Sequence, residues 1–537
     1  MKKGSAGGIF DGYGRENLLP LLFTLVVLAV VVWVRVRLLQ TPLERDEGEY
    51  AYAGQLILHG FPPYLHAFSM KLPGMFYLNA AMLKIFGERV AAIHLGLLIA
   101  NLGSAALIFL IASRLFSRGA ALVAASLYAL MTVSQHLLGT FAHATHFVVL
   151  FALVAFSLIT TGQKSVSPYR YLSAGIFFGL AFLVKQHAAF FLLAAILFVL
   201  LEYSPLSQAA GSAITMVSGF AIPPLLTALV VFLQGTFATF WLWTVKYAKS
   251  YATGLPPIWG WVNFRSQMGE ILDSMAIYWL LAGAGLLLVT FGSSRSARNF
   301  LLPLMICSFL ALCPGFHFRP HYFILVAPVV ALMASAPFAV KPLPGWLRGG
   351  LFLVLAGATL FQFWSEGWFL FAATPEEYVK KAYQTTKPFA ESVAVARYVR
   401  ENTGKKDRIL VLGSEPQIYF YANRLSATGH IYMYPFMEDQ PYAETMRAGM
   451  LRDMVANRPS YVILVDDISS WLSVTPDGEK FRGRLGEFVA SGYELDGVAA
   501  VSREGRSYYV FGAKARQFVP GSGSRILVYK LKSEGRQ

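Results

Sequence analysis

Long apolar runs alternate with short polar stretches up to about residue 371 of the chain. Eleven of these runs have the composition of membrane-spanning helices, which need roughly 17–25 mostly apolar residues. The predicted spans cover residues 18–37, 90–112, 119–137, 145–162, 169–185, 187–203, 212–234, 275–292, 300–314, 322–340 and 350–371. The pattern therefore predicts a multi-pass α-helical membrane domain over residues 1–371.

From residue 372 to residue 537 the chain is polar and alternates helix and strand signals. Helical spacing occurs in residues 389–404, 444–458 and 481–492, whereas buried-strand runs occur in residues 408–413, 460–467, 508–514 and 525–532. This alternation predicts one soluble α/β domain that follows the last span.

Basic residues lie in alternate loops between the spans, and such loops are normally cytoplasmic. These residues are Lys2, Lys3, Arg15, Arg114, Arg118, Lys164, Arg170, Arg295, Arg298, Lys341 and Arg348. With eleven spans, the N-terminus is predicted to be cytoplasmic and the α/β domain extracytoplasmic, in a bacterial cytoplasmic (inner) membrane. Arg35, Arg37 and Arg45 lie at the other end of the first span and do not fit this distribution.

Composition supports a membrane protein and excludes other classes. The chain is 56% hydrophobic and 14% charged, with a mean hydropathy of +0.52, whereas soluble domains carry about 25% charged residues. The net charge of +15 does not indicate nucleic-acid binding, because the basic residues are scattered through short loops. The chain has no Walker loop, HExxH motif or paired CxxC motif.

The first predicted outer loop, residues 38–89, opens with "LERDEGEY" directly after the first span. Acids beside hydrocarbon are costly and usually mark a function. Asp46 and Glu47 are therefore candidate catalytic residues, and Asp46 could accept a proton from an incoming hydroxyl group. Glu49 is expected on the helix surface. Lys71, in the same loop, could hold a phosphate as a point charge.

Other polar groups are predicted at the same level, near the outer membrane surface. Lys185 and Arg319 are candidate phosphate ligands, Arg319 through a two-pronged contact. Possible substrate-binding residues are His143, His146, His187, His317, His321 and Tyr322. Each could instead serve packing, and the two cations could meet lipid headgroups. The histidine pairs lack a third ligand, so no metal or other cofactor is predicted, without excluding a divalent metal.

The segments "RDEGEYAYAGQLILHG" and "MKLPGMFYLNAAMLKIFG" resemble the first outer loop of the GT-C polyprenyl-phosphate-sugar glycosyltransferases. That superfamily includes bacterial aminoarabinose transferases and the protein O-mannosyltransferases of glycosyltransferase family 39. "AGIFFGLAFLVKQHAAF", "RPHYFILVAPVVAL" and "DRILVLGSEPQIYFYANRLSAT" are similar to further segments of its members. The resemblance implies a GT-C fold, with Asp46 as the catalytic carboxylate and with Lys71 and Lys185 at the donor phosphate. Glu49 replaces an arginine of the aminoarabinose transferases, which argues against direct aminoarabinose transfer to lipid A.

The predicted function is therefore sugar transfer from a polyprenyl-phosphate donor, such as an undecaprenyl phosphate sugar, on the outer face of the membrane. The acceptor could be a lipid, a glycan or a protein. Membrane lipids are also predicted partners, whereas nucleic acid is not predicted to bind. A secondary transporter is one alternative, but inverted repeats and broken midplane spans are not evident. A lipid-linked oligosaccharide ligase or oligosaccharyltransferase is another, although the Trp-Trp-Asp motif of the latter is missing from the tail.

Overall fold

The computed structural model describes residues 17–160, 167–292, 294–340, 344–383, 387–472, 475–502, 504–518 and 523–532. Its first part is helical. The helices are α1 (Leu18–Arg37), α2 (Arg45–Leu58), α3 (Gly74–Phe86), α4 (Val90–Leu115), α5 (Arg118–Met131), α6 (Ala144–Ile159), α7 (Pro168–Val184), α8 (Ala189–Glu202), α9 (Leu206–Leu233), α10 (Phe237–Trp241), α11 (Ala248–Thr253), α12 (Pro257–Phe291), α13 (Arg295–Leu310), α14 (Ala327–Ser335) and α15 (Gly345–Ser365).

Each predicted span overlaps one of these helices, but not every helix has the length of a span. Among the described residues, five helices are long and apolar enough to cross a bilayer, namely α1, α4, α9, α12 and α15. The helices α5, α6, α7, α8 and α14 are apolar but shorter. The membrane domain is therefore supported, whereas the number of eleven spans is not confirmed. Lys2, Lys3, Arg15, Lys164 and Lys341, used above to orient the chain, lie outside the described residues.

Close helix packing depends on glycine between α7 and α9. A Cβ atom built on Gly175 would lie 2.0 Å from the carbonyl oxygen of Met216, and one built on Gly219 would lie 2.2 Å from that of Leu172. Small residues let membrane helices approach to backbone contact, where dispersion forces stabilise the pair. The α7–α9 pair supports Lys185, which follows α7 directly.

Arg35 and Arg37, which do not fit the expected charge distribution, bind backbone carbonyl groups. Arg35 is buried and donates to the carbonyl oxygens of Thr132 and Gly139 at 2.6 and 3.1 Å. Arg37 donates to those of residues 369–370, both at 2.9 Å. Buried carbonyl groups need donors, and guanidinium supplies several from one side chain. These two arginines therefore have structural partners and need not report on the orientation of the first span.

The C-terminal part is an α/β domain built on a six-stranded sheet. Its helices are α16 (Pro375–Ala382), α17 (Phe389–Glu401), α18 (Gln417–Ala422), α19 (Tyr434–Met437), α20 (Ala443–Asn457), α21 (Ile468–Trp471) and α22 (Pro476–Gly492). Its strands are β1 (Arg408–Leu412), β2 (Leu425–Ser426), β3 (Tyr461–Asp466), β4 (Tyr493–Ser502), β5 (Ser507–Phe511) and β6 (Gly523–Leu531). The strand order is β2-β1-β3-β6-β4-β5; β1 runs parallel to β2 and β3, and the other pairs are antiparallel.

The α/β domain packs directly on α2. The ring of Tyr52 stacks on that of Tyr419 with centroids 5.1 Å apart, and its hydroxyl accepts a hydrogen bond from the amide of Ser426 at 2.9 Å. The two parts approach closely at Gly48, where a Cβ atom would lie 2.6 Å from atoms of Gln417. Because these contacts are buried, the α/β domain fixes the start of α2 in place.

Candidate active site

The acidic segment after the first span forms the start of α2. The carboxylate of Glu44 accepts from the amide of Glu47 at 2.8 Å, and the carboxylate of Glu47 accepts from the amide of Glu44 at 3.3 Å. This reciprocal capping satisfies free N–H groups, and the helix dipole favours acids in the first turn. Asp46 therefore lies in that first turn, with 32% of its side chain exposed.

Asp46 pairs with Lys71. The Lys71 Nζ atom lies 2.7 Å from Asp46 Oδ1 and 2.5 Å from Glu49 Oε2, and it also lies 4.5 Å from the ring centre of Tyr50. Burial alone would raise the pKa of Asp46, but the ammonium of Lys71 outweighs it and holds that pKa well below its usual value. Asp46 is therefore an ionised carboxylate at neutral pH.

Glu49 was expected on the helix surface, and this expectation is wrong. Glu49 is only 1% exposed. Its carboxylate accepts hydrogen bonds from Ser69 Oγ and, at 2.9 Å, from the hydroxyl of Tyr432. Tyr432 belongs to the α/β domain, which covers this face of α2. Helical periodicity could not reveal that cover, because it comes from a distant part of the chain.

Glu47 lies deeper than Asp46 and is fully buried. Its Oε1 atom accepts from the amide of Ala142 at 2.5 Å and lies 3.0 Å from His94 Nε2. These contacts join α2 to α4 and to the turn before α6. A catalytic role for Glu47 stays a prediction, and the geometry favours a role in positioning that turn.

His143 and His321 meet beside Asp46. Their rings stack with centroids 3.9 Å apart and planes 15° apart, and the ligand atoms of all three residues lie within 4.8 Å of one another. His143 Nε2 lies 3.0 Å from the hydroxyl of Tyr383, and burial lowers the pKa of His143 to about 4. The histidines are therefore close to Asp46 and neutral at physiological pH.

Asp46, His143 and His321 together form a set of three possible metal ligands, which sequence reasoning did not find. Imidazole binds a metal through a lone pair in the ring plane, and the planes of His143 and His321 are nearly parallel. Their lone pairs therefore do not converge on one point as the rings lie. A cation held with Asp46 would require one ring to turn.

Lys185 approaches the same carboxylate from the end of α7. Its Nζ atom lies 4.2 Å from the ring centre of Tyr322, and its charge contributes to the lowered pKa of Asp46. His187 packs against Tyr322 with ring centroids 5.1 Å apart and binds the carbonyl oxygen of Ala311 through Nδ1 at 2.6 Å. Lys185 is thus near Asp46, and His187 packs against the same Tyr322 ring that the Lys185 ammonium contacts.

The remaining candidates differ in their accessibility. Arg319 is exposed and has no ion pair with any described residue. His317 stacks on Tyr251 with centroids 5.0 Å apart, and burial, with the charge of Arg319, lowers its pKa to about 4. His146 is buried in α6 and binds Asn101 Oδ1 through Nδ1 at 3.1 Å. His146 therefore packs against α4.

The comparisons with known proteins concern the family and the fold. The model of the dolichyl-phosphate-mannose-protein mannosyltransferase family matches residues 70–232. A comparison with curated proteins found no match. Among solved structures, ArnT from Cupriavidus metallidurans bound to undecaprenyl phosphate is similar, with a TM-score of 0.61 at 12% identity over 96% of this chain and 99% of that one. This likeness shows that the chain has the fold of the GT-C glycosyltransferases.

A second GT-C structure, the Archaeoglobus fulgidus oligosaccharyltransferase tethered with an acceptor peptide, gives a TM-score of 0.55 at 15% identity. That match covers 94% of this chain and 75% of the other. At these identities the likeness concerns the fold alone. The family match starts at residue 70, so it includes Lys71 and Lys185 but not Asp46.

The α/β domain contributes site residues that sequence reasoning missed. Arg45 donates from Nη2 to Glu415 Oε1 at 2.6 Å, so the residue before Asp46 is bound to the α/β domain. The hydroxyl groups of Tyr383 and Tyr432 reach His143 and Glu49, as described above. Their spacing carries no recognisable motif, since tyrosines are common in this sequence.

Proposed function

We propose that this GT-C protein is an integral-membrane glycosyltransferase that moves a sugar from a polyprenyl-phosphate donor to an acceptor hydroxyl. The observation that carries the proposal is the pairing of Asp46 with Lys71 at 2.7 Å, with Lys185 close enough to act on the same carboxylate. An acid and a lysine from the first outer loop, with a second lysine from the end of α7, match the needs of a phosphate leaving group. That ArnT was solved with undecaprenyl phosphate bound supports a lipid phosphate as the ligand class.

The reaction would proceed by direct displacement at the sugar. The acceptor O–H gives its proton to Asp46, the acceptor oxygen bonds to the anomeric carbon, and the bond from that carbon to the phosphate oxygen breaks. The electron pair of the broken bond stays on the phosphate, where Lys71 and Lys185 stabilise the charge. Arg319, exposed and free of ion pairs with described residues, would complete the phosphate contact.

Donor binding would also strengthen the base. In the free protein Lys71 lowers the pKa of Asp46, which makes the carboxylate a weak proton acceptor. When the donor phosphate binds Lys71, its negative charge offsets part of the ammonium charge that acts on Asp46, and the pKa of Asp46 rises. General-base catalysis gains as that pKa approaches the working pH, and such help is typically worth about 10²- to 10⁴-fold.

The other groups follow from their positions. Glu47 would hold the turn that carries His143, and His143 with His321 would line the sugar or acceptor side. Residues 1–371 would form the catalytic membrane domain, and residues 372–537 an extracytoplasmic domain on the outer face of a bacterial inner membrane. The acceptor would be a lipid, a glycan or a protein, and no metal is needed where cations hold the phosphate.

The test compares cells that lack the gene with cells complemented by wild-type protein or by Asp46→Asn. Mass spectrometry of lipids, glycans and proteins should show one product that loses a sugar without the gene. Wild-type protein should restore it and Asp46→Asn should not, at equal membrane levels of the two proteins. Full restoration by Asp46→Asn would refute the role of this carboxylate.

Uptake of a free sugar into proteoliposomes without covalent transfer would instead support a transporter. Lys71→Met, compared with wild type at equal amounts of folded protein, should lose most affinity for undecaprenyl phosphate, since it removes the ammonium that meets the phosphate. Unchanged affinity would refute the assignment of Lys71.

A further inference from the structure

Two of the three N–H groups of Lys71 are taken by carboxylates. An ammonium carries three N–H donors. In this protein Asp46 and Glu49 take up two directions at 2.7 and 2.5 Å, and the ring of Tyr50 lies beside the ammonium with its centre 4.5 Å away. A phosphate that accepts two hydrogen bonds from Lys71 must therefore displace one of the carboxylates.

Glu49 is the carboxylate that can lose Lys71 and stay satisfied. Besides Lys71 it has two further donors, Ser69 Oγ and the hydroxyl of Tyr432. Lys71 is the only described residue that gives Asp46 a hydrogen bond from its side chain, and Asp46 is also the more exposed of the two acids. A buried carboxylate stays hydrogen-bonded when hydroxyl donors remain, so the exchange at Glu49 costs less than it would at an isolated acid.

We infer that Glu49 is an internal counter-ion that occupies Lys71 until the donor phosphate displaces it, with Tyr432 holding Glu49 after the exchange. Glu49 is thus a positioning and selectivity residue. This inference rests on the proposed function, because it takes Lys71 as the ligand of the donor phosphate.

The charge of Glu49 acts differently on substrate and product. The sugar-phosphate donor is a phosphodiester with one negative charge, whereas the released polyprenyl phosphate is a monoester, with a charge of about −1.5 to −2 at pH 7. A fixed carboxylate repels the more highly charged product more strongly. Glu49 therefore promotes release of the spent lipid, which would otherwise remain on Lys71.

The experiment measures the affinity of purified protein for undecaprenyl phosphate in detergent. Glu49→Gln removes the competing charge, so affinity should increase by about tenfold, the equivalent of one charge-assisted hydrogen bond. Tyr432→Phe removes a donor from Glu49 and strengthens its hold on Lys71, so affinity should fall by about fivefold. The matched control is Glu494→Gln, an exposed acid paired with Arg516 in the α/β domain, which should leave affinity unchanged.

The opposite signs separate this role from a structural one, since damage to the site would weaken binding in both variants. Weaker or equal binding by Glu49→Gln, or tighter binding by Tyr432→Phe, would overturn the inference. Lys71→Met distinguishes a failure of the proposed phosphate site from a failure of the counter-ion role alone. If it binds undecaprenyl phosphate as wild type does, the proposed phosphate site fails; if it loses affinity while Glu49→Gln gains none, only the counter-ion role fails.

Discussion

Glu415→Gln would test whether the α/β domain holds the catalytic helix in place. Glu415 is fully buried and lies 2.6 Å from Arg45, whose side chain is 14% exposed. Removing one partner of a buried ion pair costs about 3–5 kcal/mol, because the other charge is left without compensation. We expect destabilisation of about 3 kcal/mol, since Arg45 keeps the carbonyl oxygen of Ser414 at 2.5 Å.

The assay is a double-mutant cycle with Arg45→Met, measured by denaturant unfolding of the purified protein in detergent. The double variant should be less destabilised than the sum of the two single variants, by about 1–3 kcal/mol. Because Arg45 precedes Asp46, sugar transfer should also decrease in each single variant that remains folded. Single losses below about 1 kcal/mol, or strictly additive losses, would refute the role assigned to this ion pair.

Further predictions concern pH, metal and a buried acid. The folded pKa of Asp46 lies below its unfolded value of about 3.9, so its stabilising contribution is present above that value and is lost as pH falls through the folded pKa. The acidic limb of kcat/KM, which reports the free enzyme, should move to higher pH in Lys71→Met, because burial then raises the pKa of Asp46; an unmoved limb would contradict this. A chelator should change transfer less than twofold (about the assay error), since His143 and His321 do not converge on a metal; a loss that a divalent cation reverses would contradict it. Glu366→Gln should destabilise by about 2 kcal/mol in thermal unfolding, because the buried carboxylate of Glu366 accepts three hydrogen bonds at 2.8 Å; wild-type stability would contradict it.

Local patterns predicted much of the fold. Apolar runs of span length gave helices, and the tail segments 389–404, 408–413 and 460–467 coincide with α17, β1 and β3. The strand β4 was missed, because "YELDGVAAVS" contains acids and glycine that do not alternate regularly with apolar residues. Strands without regular alternation depend on their neighbours in the sheet, which a single sequence does not display.

The sequence pointed to Asp46 and Lys71, which the structure places together, but it did not reveal their buried partners. Asp46 and Lys71 lie in one predicted loop beside a membrane span. Charged groups next to hydrocarbon are costly, so both residues were predicted to belong to the site. Glu49 and Tyr432 pair across 383 positions of chain, a contact that no local pattern encodes. Arg35 was compared with the rule that basic residues mark cytoplasmic loops, whereas its partners are carbonyl groups inside the protein.

A structure of the protein with undecaprenyl phosphate bound would test the central claim most directly. Cryo-electron microscopy should place the phosphate within about 3 Å of Lys71 Nζ, a charge-assisted hydrogen-bond distance, with Lys185 on its other side and Asp46 facing the position of the sugar. A phosphate bound away from both lysines, or on the opposite side of the membrane from Asp46, would contradict the account.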